Sequence, residues 1–142
     1  MRTVRPIGLV PLLAALLVAG CGKSHDWKQT IEELPLDADE VVAAVASLPE
    51  CEAVRRGGRI VWKPLVHCNG SPVPVSGCTY PTRDPPLVEI VYRTSAWDPP
   101  GPGSNIPTLA HELCHVCGYY GGPDGEAQAD ACALRAWAMV KN

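Results

Sequence analysis

Thr108-Leu109-Ala110-His111-Glu112-Leu113-Cys114-His115-Val116 is the stretch that decides what kind of chain this is. Ser104 and Asn105 offer an N-cap ahead of it, Pro107 suits a first helical turn, and Gly118 marks a stop, so residues 108–119 read as a helix. Two histidines four apart on a helix lie about 40° apart around its axis and one turn along it. Both imidazoles then reach a single zinc ion. Glu112, beside the first histidine, lies over the open face of such a metal, where a carboxylate acts as base toward bound water rather than as a ligand.

A catalytic zinc takes three protein ligands and a water. A third histidine six residues after His115 would stand at position 121, which is Gly121. Further on, Glu126-Ala127-Gln128-Ala129-Asp130 opens an alanine-rich helix reaching about residue 140, and places Glu126 and Asp130 on one helical face. Glu126 can complete the ligand set, and Asp130 can accept the outer N–H of a ligating histidine and so hold its ring. Asp124 is a substitute ligand whose more ordinary role is an N-cap. The glycine-rich link over residues 118–125 suits a chain reversal that brings the two helices face to face.

His111-Glu112-x-x-His115 followed by Glu126-x-x-Ala129-Asp130 resembles the gluzincin zinc metallopeptidases, particularly their small forms with a compact sheet and two zinc-bearing helices. The resemblance covers about residues 86–141. It implies that His111, His115 and Glu126 bind one Zn2+ per chain, that Glu112 activates water, and that Asp130 orients a histidine. It also implies a strand ahead of the first zinc helix whose edge pairs with an extended peptide or protein substrate, and Leu87 to Arg93 is in that place. An oxyanion-stabilising group is expected too, with His67, Tyr119, Tyr120, Arg83 and Arg93 as its candidates.

At the other end, Arg2 and Arg5 precede an apolar run from Ile7 to Ala19 that closes on Val18-Ala19-Gly20-Cys21. This is the pattern of a signal peptide, shorter than the about 20 residues of a membrane-spanning helix. Its ending resembles the bacterial lipobox, which implies that residues 1–20 are removed and that Cys21 becomes a lipidated N-terminus held in the membrane. Gly22 after the anchor implies, by the same resemblance, an outer-membrane rather than inner-membrane destination in a two-membraned envelope. Residues 21–36 then read as a lipidated tether, with His25 in it, and residues 37–142 as the metallopeptidase-like domain.

One domain is all that 142 residues hold. A content of 46% hydrophobic and 19% charged residues excludes an acidic disordered chain, and a net charge of -3 gives no electrostatic footprint for nucleic acid. Of seven cysteines, six remain after the anchor: Cys51, Cys68, Cys78, Cys114, Cys117 and Cys132. An even set in a small exported chain reads as a disulfide framework. The shortest pairing joins Cys68 to Cys78, and either Cys114 or Cys117 to Cys132. A thiolate-metal or redox role for Cys114 and Cys117 is the lesser alternative.

Asp37 and Glu40 stand at capping-box spacing ahead of an alanine- and valine-rich helix that stops at Pro49. Residues 59–63 read as a short strand, and residues 87–93 as a second with Val88, Ile90 and Tyr92 on its apolar face. Ten prolines from Pro64 to Pro107 make the rest of that region irregular, a wall for the cleft before the metal. Trp62, Trp97 and Trp137 read as core. The fold class is α+β: a small antiparallel or mixed sheet on helices, with the His111 helix and a C-terminal helix carrying the third zinc ligand. The expected function is a zinc-dependent peptidase of the bacterial cell envelope with Glu112 as general base. The alternative is a non-catalytic envelope lipoprotein that uses the same fold for binding or assembly.

Overall fold

The structure is a computed structural model that describes residues 27–29, 37–93, 95–100 and 103–142. The expected signal segment, Cys21, His25 and most of the expected tether lie outside the described residues. Among the described residues, six strands and four α-helices run in the order β1 (Trp27–Gln29), α1 (Ala38–Ala46), α2 (Glu52–Arg56), β2 (Gly58–Lys63), β3 (Val66–His67), β4 (Pro74–Val75), β5 (Gly77–Tyr80), β6 (Leu87–Val91), α3 (Thr108–Val116) and α4 (Gly122–Lys141). The class is α+β, with a small mixed sheet packed against helices.

The main sheet has the order β1-β2-β6-β5, its first three strands parallel and β5 antiparallel to β6; β3 and β4 form a separate hairpin. Ile60 pairs with Val88 and Trp62 with Ile90, and all four are buried, because strand alternation turns them to the one face that the helices cover. Tyr92, expected on that face, lies past the end of β6 and is exposed. On the other face Lys63 Nζ donates to Glu89 Oε1 at 2.5 Å.

Three sequence expectations are corrected. Leu87 to Arg93, expected as a substrate-pairing edge, gives an interior strand with β2 on one side and β5 on the other; the strand at the edge on the α3 side is β5. Trp27–Gln29, within the expected tether, is a sheet strand, and the Trp27 indole Nε1 donates to the Val54 carbonyl at 2.9 Å. Asp37 makes no side-chain cap; its carboxylate accepts from Ala96 N–H and the Ser95 hydroxyl instead, which ties the start of α1 to the loop before α3.

Gly58 explains how β1 docks. A Cβ there would stand 2.5 Å from the Trp27 ring and 2.8 Å from the Pro86 carbonyl. Gly58→Ala is expected to push Trp27 off β2 and to cost about 1–3 kcal/mol, the usual price of overpacking, read by denaturant unfolding followed through tryptophan fluorescence.

Small residues bring the last two helices together. The buried positions of α4 are Gly125, Ala129, Cys132, Ala133 and Ala136, one stripe at helical spacing that packs closely against α3. α4 begins at Gly122, four residues before Glu126 where the alanine-rich pattern starts, because Pro123 in the first turn needs no N–H partner. α3 ends at Val116, short of the expected 119, with the anticipated stop Gly118 at a φ of +115° just beyond it. Trp62 and Trp97 are buried, and Trp97 meets Trp137 edge to face at 4.9 Å between centroids.

Three disulfides brace this arrangement. Cys68–Cys78 and Cys114–Cys132 are the short pairings that the cysteine spacing suggests, with Cys114 rather than Cys117 as the partner of Cys132; Cys51–Cys117 is the third.

Candidate metal centre

Eight of the nine residues of α3 are buried, His111 alone being half-buried, and His111 and His115 emerge on the side that meets α4. The three atoms that the sequence singles out as ligands converge there. His111 Nε2 lies 3.0 Å from His115 Nε2 and 3.1 Å from Glu126 Oε2, while His115 Nε2 lies 3.4 Å from Glu126 Oε1.

The outer nitrogens decide what these rings offer. His111 Nδ1 is 2.7 Å from Asp130 Oδ1, and His115 Nδ1 contacts the Tyr119 carbonyl. Carboxylate and carbonyl oxygens only accept, so each Nδ1 carries the hydrogen and each Nε2 turns a lone pair inward. Two such lone pairs and a carboxylate this close repel one another unless a proton or a cation sits among them. A proton can bridge one of these contacts; a metal ion answers all three.

The dimensions agree with that. Zinc bonded at about 2.0–2.1 Å to tetrahedral ligands sets neighbouring ligand atoms about 3.3–3.4 Å apart, close to the spacing of the three atoms. His111, His115 and Glu126 therefore fit a zinc ion in donor type, tautomer and spacing. Asp124, the substitute ligand, is exposed and outside this cluster. The sulfurs of Cys51, Cys117 and Cys132 also approach within 4.8 Å because two disulfides lie side by side there; paired sulfurs have no thiolate to give.

Glu112 faces β5. Its carboxyl Oε2 accepts from the Thr79 hydroxyl at 2.7 Å, and the same hydroxyl lies 2.9 Å from the Glu112 carbonyl. Burial pushes the Glu112 carboxyl above the ordinary carboxylate range, opposed by the Thr79 hydrogen bond and the two histidines. A Cβ at position 77 would stand 2.6 Å from Glu112 Cγ and 2.7 Å from Oε1, so only glycine leaves the room that Glu112 occupies. Reasoning from the sequence singled out neither Gly77 nor Thr79. A glycine inside a four-residue strand was the available signal, since it marks close approach by another group.

All of this opens into a cleft of about 630 Å³. Val75, Pro81, Pro100 and Ile106 line it beside the three converging residues, so the proline-rich region does form its wall. Of the five oxyanion candidates, Tyr120 alone lines the cleft. The Tyr119 hydroxyl donates to Glu50 Oε1, the Arg83 guanidinium stacks on Tyr80, Arg93 donates to Ser76 Oγ and the Pro100 carbonyl, and His67 bonds the Ser71 carbonyl.

The chain matches no protein-family model, no curated protein and no solved structure.

Proposed function

We propose that this chain is a zinc-dependent peptidase of gluzincin type, held at the bacterial cell envelope through a lipid on Cys21. The observation that carries the reading is the convergence of His111 Nε2, His115 Nε2 and a Glu126 carboxylate at 3.0–3.4 Å, with both outer imidazole nitrogens tied off by Asp130 and the Tyr119 carbonyl. His111, His115 and Glu126 hold the ion. Bound zinc supplies Lewis acidity, lowering the pKa of a coordinated water toward about 7 and polarising a carbonyl.

The chain's own residues supply the rest. Glu112, buried beside the three ligand residues, takes the proton of the attacking water and delivers it to the leaving amine. Tyr120, the oxyanion candidate on the cleft wall, offers a hydroxyl to the carbonyl oxygen as charge builds on it.

Substrate pairs with β5. Val91 N–H donates to the Ser76 carbonyl at 2.9 Å, and in an antiparallel ladder alternate residues bond to the neighbour. Ser76 and Cys78 thus spend their main-chain groups on β6, and Gly77 and Thr79 direct theirs to the free edge. An extended peptide laid along that edge finds N–H and C=O partners beside Glu112.

Elemental analysis of the purified full chain tests the reading. One zinc per chain is expected, lost in His115→Ala. Asp130→Asn keeps the three ligand residues and weakens retention about 10–100-fold against a competing chelator, the usual effect of removing an outer partner of a ligating histidine. Oxidised parent protein that takes up no zinc would leave the binding-module reading in its place.

A further inference from the structure

We infer that Gly77 and Thr79 of β5 form a seat that positions the Glu112 carboxyl, with Thr79 as a positioning residue for the base; the kinetic consequence rests on the peptidase reading above. The two residues alternate onto the same face of β5, and that face meets α3. Each does a different job there. Gly77 leaves empty the volume that a methyl group would share with Glu112 Cγ and Oε1, at 2.6 and 2.7 Å from the missing Cβ. Thr79 donates its hydroxyl to Oε2 at 2.7 Å, close enough also to touch the Glu112 carbonyl at 2.9 Å. Side chain and main chain of the same glutamate are thereby held from one point.

β5 is itself fixed. Cys78, between the two seat residues, is buried and bridged to Cys68, and the ladder to β6 sets its register from Gly77 opposite Ile90 to Tyr80 opposite Leu87. A glutamate side chain has three rotatable bonds, and a packed strand with one hydroxyl and one gap removes most of that freedom. Gly77 and Thr79 also direct their main-chain groups to the free edge of the sheet. The strand that holds the base is therefore the strand that registers an extended substrate. A displacement of about 1 Å between reacting groups can cost 10²-fold in rate, so the seat sets the alignment of base and scissile bond.

The test is a set of full-chain variants assayed for zinc content, for steady-state hydrolysis of an unstructured protein such as casein, and for denaturant unfolding. Thr79→Val keeps the shape and removes the hydroxyl: kcat is expected to fall about 10–100-fold with KM and zinc content unchanged. Thr79→Ser restores the hydroxyl and should recover kcat to within a few-fold, which a packing role alone would not produce. Gly77→Ala should lower kcat in the same way while zinc stays bound. Thr79→Ala replaces Thr79→Val if the latter does not fold. Undiminished kcat in Thr79→Val, or no recovery in Thr79→Ser, overturns the seat. A double-mutant cycle of Thr79→Val with Glu112→Ala, each of which removes the contact, read from unfolding midpoints, decides the seat without any assay of activity. Non-additive shifts support it and additive shifts overturn it, so a parent protein that hydrolyses nothing would remove the peptidase reading and leave the seat to this cycle.

Discussion

Glu112→Gln is expected to keep one zinc per chain and to lose about 10²–10⁴-fold in kcat, the range that a positioned general base contributes. The separation follows from where the carboxyl sits. It is turned toward β5 and the Thr79 hydroxyl and is not among the three converging atoms, so removing its charge leaves His111, His115 and Glu126 in place. An amide of the same shape still accepts from Thr79 but cannot take a proton from water. Stability runs the other way. Burial raises the carboxyl's pKa in the folded chain, so its contribution is fully present below the unfolded value and is lost as pH rises through the folded one. In protein stripped of metal, Glu112→Gln removes that loss, and its unfolding midpoint at pH 7 should equal or exceed the parent's. Hydrolysis that survives Glu112→Gln intact, with zinc bound, would remove Glu112 from the mechanism.

What the sequence discloses about this site follows from the geometry of one helix at a time. His111 and His115 share a face because a helix repeats every 3.6 residues, and Glu126 and Asp130 share one for the same reason. Those four positions are legible without knowing where the helices lie. That α3 and α4 face each other needed only the short glycine-rich link and the stripe of small residues on α4. Strand order is not local in this way. The alternation over Leu87–Val91 reveals a strand but carries no sign of its neighbours, so nothing in it distinguishes an interior strand from an edge. The edge strand on the α3 side, Gly77–Tyr80, is four residues long with a glycine and a cysteine in it, too short to show a period. Gly77 and Thr79 gain their meaning only when β5 crosses α3, and no spacing within the chain announces that crossing.

The same distinction applies to the cysteines. Cys68 and Cys78 are joined by a hairpin and Cys114 and Cys132 by a helical reversal, both short connections that can be read along the chain. Cys51–Cys117 depends on the turn between α1 and α2 lying against the end of α3, which is a property of the packed core. Trp27 belongs with it: three residues of strand leave no pattern, and the indole's burial comes from α2 and β2.

Because the bridges close loops of different length and fasten different elements, their removal should have different consequences. Cys51–Cys117 spans 66 residues, and the loop-entropy relation puts its contribution at about 4 kcal/mol; Cys114–Cys132 spans 18 and contributes about 3 kcal/mol. Paired alanine replacements at 51 and 117 are therefore expected to produce the larger drop in unfolding free energy. The order reverses for metal. Cys114 lies between His111 and His115 on α3, and Cys132 lies two residues beyond Asp130 on α4, so their bridge fastens the two helices whose side chains converge. Alanine at both 114 and 132 lets α4 shift against α3, moving Glu126 and Asp130 together away from the histidines. Zinc retention against a chelator should fall about 10–100-fold, as for loss of other groups that orient ligands. At 51 and 117 the bridge instead ties the end of α3 to the turn ahead of α2 and makes no covalent link to α4, which carries Glu126 and Asp130, so zinc retention in the folded fraction should change little. Equal effects of the two pairs on zinc retention, measured where both proteins are folded, would show that the core alone holds the two helices in register.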